Sequence, residues 1–147
     1  MSTIRILIVD DHEMVRRSIA TLLSTESSFD VVGHACTGLE AVRRAEQHQP
    51  DVVLLDISLP ELNGLQAAPL IKRVAPATEI LIVTNHDNPF LVREALRLGA
   101  RGFVSKSEMF AELITAIVHV HAKKRFISKA LSTAVGQVAA APSPSAE

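Results

Sequence analysis

Five polar residues stand where apolar runs stop. Asp10 and Asp11 follow Ile4–Val9 (IRILIV), Asp56 closes VVLLD at 52–56, Thr84 closes ILIVT at 80–84, and Lys106 follows Gly102–Ser105 (GFVS). Singly, each has an ordinary explanation: a helix N-cap, a strand-end hydroxyl, a solvated lysine. Together they describe a chemistry. Three carboxylates brought together repel one another and raise each other's pKa. A divalent cation removes that repulsion, and hard oxygen donors with open water positions suit Mg²⁺. An aspartate can also attack phosphorus and form an aspartyl phosphate. Phosphoryl transfer requires the equatorial oxygens to be neutralised. Mg²⁺ can hold one, the Lys106 ammonium a second, and the Thr84 hydroxyl a third.

The elements that must position these groups follow from the hydrophobic pattern. Strands are expected at Ile4–Val9, Phe29–Ala35, 52–56, 80–84 and Gly102–Ser105. Helical periods lie between them, at 14–23, from Thr37 to about Gln47, from Gly64 to about Val74, at 89–98, and from about Glu108 to Ala122. Thr37 and Glu40 read as a capping box, Ser107 as the cap of the last helix, and Gly99 as a helix terminator. This alternation predicts a parallel sheet with helices on both faces. The runs at 4, 52 and 80 are continuously apolar, as central strands are, and 29–35 is mixed, as an edge is. In such a sheet ligands bind beyond the carboxyl ends of the strands, where strand order reverses. The four chemistry-bearing strands all end there.

Composition narrows the class. The chain has 147 residues, 48% of them hydrophobic, and a net charge of −1. That suits one packed domain and argues against a strongly basic nucleic-acid binder within it. No apolar run approaches the roughly 20 residues of a membrane span, and no signal-peptide core follows Arg5, so a cytoplasmic location is expected. Without Trp or Tyr, an aromatic clamp for a flat cofactor is not expected. The single cysteine, Cys36, reads as a small buried residue. Residues 132–147 (STAVGQVAAAPSPSAE) are rich in Ala, Ser and Pro and read as a linker or tail.

Asp10-Asp11, the run LLDISLPELNG with Asp56, Pro60 and Gly64, then Thr84, then GARGFVSK with Phe103 and Lys106 resemble the receiver domain of two-component response regulators. The resemblance covers about 4–126 and divides the chain into a receiver at 1–126 and a linker or tail at 127–147. It implies a flavodoxin-like (CheY-like) α/β fold, a five-stranded parallel sheet of order 2-1-3-4-5. It implies that Asp56 takes a phosphoryl group from the phosphohistidine of a sensor histidine kinase. Mg²⁺ would be held by Asp11, Asp56 and the Ser58 backbone carbonyl, with Asp10 assisting through water. The chain would then be a signalling phosphoacceptor with slow self-dephosphorylation, not an enzyme. Thr84 and Phe103 would be the switch pair, Thr84 moving toward the phosphoryl group and the Phe103 ring turning inward.

NHDNPFLVREALRLGARGFVSKSE and KKRFISKAL further resemble regulators of the NarL/FixJ type, which carry a LuxR-type DNA-binding domain after such a linker. That implies a homodimer on phosphorylation and DNA contact only through a C-terminal domain absent from this chain. A stand-alone receiver acting through protein contacts is the alternative.

Several residues depart from the common pattern. Asn85 replaces a small residue and would narrow access to the phosphoryl group. Ser58 and His86 occupy positions that tune water attack on the acyl phosphate in this family, and His86 reads as a partly exposed loop residue. Ser107 stands where a cis-proline is common, so a trans bond is expected. Phe103 lacks the usual Tyr hydroxyl. Pro69 should either delay its helix to near Ala68 or kink it. Lys123, Lys124 and Arg125 complement the last helix dipole. Arg93, Arg97 and Arg101 lie on a face used for partner contacts or simply for solvation. His12 and Glu13 read as helix N-terminus, not metal ligands.

Other functions fit less well. A haloacid-dehalogenase-type phosphatase needs a second acid where Ser58 stands. A flavin-binding protein needs a phosphate loop where the acidic DDHEMV stands. A phosphorylation-independent pseudo-receiver would have lost an acid, the Thr or the Lys.

Overall fold

The computed structural model describes residues 3–86, 88–129 and 131. Strands β1 (Ile4–Val9), β2 (Phe29–Ala35), β3 (Val52–Leu55), β4 (Glu79–Thr84), β5 (Gly102–Ser105) and β6 (Phe126–Ile127) alternate with helices α1 (Glu13–Leu23), α2 (Gly38–His48), α3 (Gly64–Val74), α4 (Pro89–Arg97) and α5 (Met109–His121). All strand pairs are parallel, in the order β2-β1-β3-β4-β5-β6. The chain steps to one side of β1 for β2 and to the other for β3, so strand order reverses at β1 and β3. This is the crevice the sequence pattern anticipates.

Side-chain alternation along the strands divides the interior in two. Leu7, Val53, Leu55, Ile80, Ile82 and Phe103 face α2, α3 and α4, where Ala41, Ala45, Ala67 and Ala95 let the helices approach closely. Ile6, Ile8, Leu54, Leu81, Val83 and Val104 face Ile19 and Leu23 of α1 and Leu113, Ile117 and Val120 of α5. β3, β4 and β5 are buried throughout, whereas β2 at the sheet edge is mostly half-exposed.

The sheet gains a strand that the sequence reading lacks. β6 covers the otherwise open edge of β5, pairing Gly102 with Phe126 and Phe103 with Ile127. Gly102 permits this approach, since a Cβ there would lie 2.8 Å from the Phe126 carbonyl oxygen. Packing thus continues past residue 126: Ile127 and Leu131 join the same core face as Phe103. The rest of the expected linker lies outside the described residues.

Local details also differ. α3 starts at Gly64 and runs through Pro69, so the late start does not occur. Its entry is secured by a full capping box between Asn63 and Gln66, a pair the sequence reading passed over. At α2 the Thr37 hydroxyl accepts from the Glu40 N–H as expected. The Glu40 carboxylate, however, reaches past the cap to the Cys36 N–H. Cys36 is exposed rather than buried, and its hydrogen bond to Glu40 raises the pKa of its thiol. Ser107 caps nothing: Lys106–Glu108 forms a 3-10 turn before α5, and the Ser107 hydroxyl meets that of Ser105 at 3.0 Å. No peptide bond among the described residues is cis, and no helix among them is long and apolar enough to cross a membrane. Arg101 and Lys123 both pair with the buried Glu79 carboxylate at the far end of β4, at 3.1 and 2.7 Å.

Candidate functional site

Asp10 follows β1, Asp56 follows β3, Thr84 ends β4 and Lys106 follows β5, and all four converge on one end of the sheet. Asp10, Asp56 and Thr84 are 1%, 3% and 0% exposed. The Lys106 ammonium bridges the two buried acids, 2.6 Å from Asp10 Oδ2 and 3.1 Å from Asp56 Oδ2. Burial works against the charge on Lys106, but the two carboxylates outweigh it and hold the ammonium above the ordinary lysine value.

Backbone donors orient the acids. Asp56 Oδ1 accepts from the Ile57 N–H at 2.8 Å and Asp10 Oδ1 from the His12 N–H at 2.9 Å. Gly64 lies directly behind Asp56: its N–H donates to the Ile57 carbonyl at 2.8 Å, and a Cβ there would sit 2.1 Å from the Asp56 carbonyl oxygen. The Thr84 hydroxyl accepts from the His86 N–H at 3.3 Å. His12, Asp56, Ser58, Thr84, Asn85, His86 and Lys106 line a cleft of about 200 Å³. His86 is exposed, as expected, but its Nε2 also meets Ser58 Oγ at 2.5 Å, so two residues flanking Asp56 and Thr84 join across the cleft mouth.

Two placements add to the sequence reading. His12 supplies the N-cap position of α1 without a side-chain cap, and its imidazole turns into the acid cluster. Nδ1 lies 3.3 Å from Asp10 Oδ1 and 3.0 Å from Asp11 Oδ1. Its position beside the acid pair was the only signal available. Phe103 is fully buried, on the face shared with Ile127 and Leu131. A ring without a hydroxyl has no polar atom to keep in water.

The donor set can be tested against a metal. Asp10, Asp11 and His12 each offer a ligand atom within 4.8 Å of the others, and Asp56 shares Lys106 with Asp10. Three carboxylates against one ammonium leave two negative charges, and their donors are mostly hard oxygens. This fits a divalent cation of the Mg²⁺ class.

The model of the response regulator receiver domain matches residues 6–118. The response regulator GacA of Pseudomonas viridiflava is 39% identical over 126 residues, 85% of this chain and 58% of that protein. The chain therefore spans little more than half the length of such curated relatives. The crystal structure of a LuxR-family two-component response regulator from Aurantimonas sp. SI85-9A1 superposes with a TM-score of 0.90 at 34% identity, covering 95% of this chain and 99% of that one. The signal receiver domain of the putative response regulator NarL from Mycobacterium tuberculosis gives 0.80 at 32% identity, covering 84% and 100%. The aspartate–lysine cluster at the switch point thus sits in a fold and sequence shared with signalling receivers, and the chain belongs to the response regulator receiver family.

Proposed function

We propose that Asp56 accepts a phosphoryl group from the phosphohistidine of a sensor histidine kinase and that the modified domain switches a transcriptional output. The observation that carries this reading is the Lys106 ammonium bridging the buried Asp10 and Asp56 carboxylates. Such a bridge neutralises charge at the place where phosphoryl oxygens would develop it. A carboxylate oxygen of Asp56 attacks phosphorus as the P–N bond to the donor imidazole breaks, and the leaving imidazole takes up a proton. The Ile57 N–H holds the Asp56 carboxylate plane while Lys106 follows the incoming oxygens. The Thr84 hydroxyl would hydrogen-bond another oxygen.

Asp11, Asp56 and the Ser58 carbonyl would hold Mg²⁺, with Asp10 acting through water. When bound, the ion would neutralise a phosphoryl oxygen. The Ser58–His86 bridge and Asn85 restrict the approach of water and so set the lifetime of the acyl phosphate. On phosphorylation Thr84 would move toward the phosphoryl group and the Phe103 ring would fill the space it leaves, reshaping the face of α4, β5 and α5. The partners are then a cytoplasmic kinase domain, a second copy upon phosphorylation, and DNA only through a further C-terminal domain.

The test is to incubate the chain with acetyl phosphate and Mg²⁺, weigh the intact protein and map the added phosphoryl group. Label on Asp56 is expected, and label elsewhere, or none, defeats the reading.

Metal binding should also appear as stability. A ligand bound only by the folded state at 100 times its Kd adds about 2.7 kcal/mol. Thermal unfolding at fixed ionic strength should therefore rise with saturating Mg²⁺ in the wild type and much less in Asp11→Ala. Equal shifts in the two proteins would remove Asp11 from the metal site.

A further inference from the structure

The turn that carries Lys106 is tied at both ends by the chain leaving the domain. Ser105, the last residue of β5, donates its N–H to Ser128 Oγ at 2.9 Å. That hydroxyl in turn donates to Glu112 Oε1 at 2.7 Å, and Glu112 stands in the first turn of α5. The Lys129 N–H adds a bond to Glu112 Oε2 at 3.0 Å, and the Ser128 N–H one to the Phe103 carbonyl at 2.9 Å. Ser128 is fully buried. One hydroxyl, acting as acceptor and donor, thus spans the 3-10 turn from the residue before Lys106 to the helix after it. Removing one member of such a network leaves a buried polar group unpaired, which costs more than a single exposed bond would.

We propose that Ser128 and Glu112 are positioning residues for the Lys106 ammonium, and that through them the state of the phosphoryl site sets how firmly β6, Ser128 and Lys129 are held on the domain. The proposal rests on the reading of Asp56 as phosphoacceptor. Lys106 bonds both buried acids, and a phosphoryl group on Asp56 must redirect it. Only the short turn separates that movement from Ser105 and Glu112. Coupling of this kind is reciprocal: a site that tightens the clasp must bind its ligand more weakly when the clasp is cut.

The test uses the full chain with Mg²⁺ and beryllofluoride as phosphoryl mimic. Mimic affinity is titrated by fluorine NMR, and amide exchange is followed at Ser105, Ser128 and Lys129. In the wild type the mimic should slow exchange at these amides. Glu112→Ala changes a half-exposed helical position to a strong helix former, so the fold should survive. It and Ser128→Ala should bind the mimic about fivefold or more weakly and lose the mimic-dependent protection. Glu112→Gln, which keeps an oxygen for the Ser128 hydroxyl, should recover part of the affinity. Variants that exchange faster with and without the mimic alike, yet bind it as the wild type does, would reduce the clasp to simple structure and overturn the proposal. If Ser128→Ala does not fold, Glu112→Ala decides between the same two results. A wild type that binds no mimic at Asp56 defeats the phosphoacceptor reading instead, a result distinct from wild-type binding with unaffected variants.

Discussion

Asp56→Asn is expected to fold as the wild type does and to form no acyl phosphate with acetyl phosphate and Mg²⁺. The amide has no anionic oxygen to attack phosphorus, so the loss should be complete rather than partial. The fold should survive because the amide oxygen can still accept from the Ile57 N–H. Lys106 keeps its bond to Asp10 Oδ2 at 2.6 Å. The variant loses one charged hydrogen bond but also one carboxylate's repulsion of Asp10, and these offset. The net change in stability should be about 1 kcal/mol or less. Denaturant unfolding and a hydroxylamine-sensitive label measure the two expectations separately. Labelling of the variant at the wild-type rate would move the acceptor to another residue. Unfolding of the variant would show that the Asp56–Lys106 pair is needed for the fold.

Gly64→Ala should do the reverse, damaging stability first and chemistry through it. The added Cβ would lie 2.1 Å from the Asp56 carbonyl oxygen, 2.8 Å from Ile57 Cα and 2.9 Å from the Asp56 carbonyl carbon. All three are backbone atoms at the end of a buried strand, and none can swing aside as a side chain would. Either α3 moves away from β3, breaking the Gly64 N–H bond to Ile57, or the Asp56 backbone shifts and carries its carboxylate out of line with Lys106. A loss of about 3 kcal/mol or more is expected, at the severe end of single substitutions. At a temperature where the variant is still folded, acyl phosphate should form more slowly than in the wild type. Wild-type stability in Gly64→Ala would show that the β3–α3 connection is loose enough to yield. Lowered stability with an unchanged labelling rate would mean that α3, not Asp56, gives way.

Much of the molecule could be read from residue types and spacing. The runs IRILIV, VVLL and ILIVT read as strands covered on both faces, because they are almost wholly apolar and too short for a helix. Their order and the polar residues closing them placed Asp10, Asp56, Thr84 and Lys106 at one crevice. Thr37 announced its helix, since its cap bond is local in sequence. Failures occurred where the turn of the backbone, rather than the residue type, decided which way a side chain points. Ser107 looks like a cap, but the chain turns tightly after Lys106 and the hydroxyl finds Ser105 instead. Cys36 looks like a core residue, but Glu40 reaches its backbone and leaves its side chain at the surface.

By itself, then, the sequence determined the layer architecture, the central strands and the acid–threonine–lysine set, because periodicity and strand ends are properties of neighbouring residues. Tertiary structure alone decided the Lys106 bridge, the turn of His12 into the acids, the tight seat of Gly64 against Asp56, and β6 with its Ser128 clasp. Each of these is set by how separate elements pack against one another, or by which way a side chain turns once its element is packed. A two-residue strand has no period to recognise: Phe126–Ile127 becomes one because β5 offers an unpaired edge and Gly102 leaves room beside it.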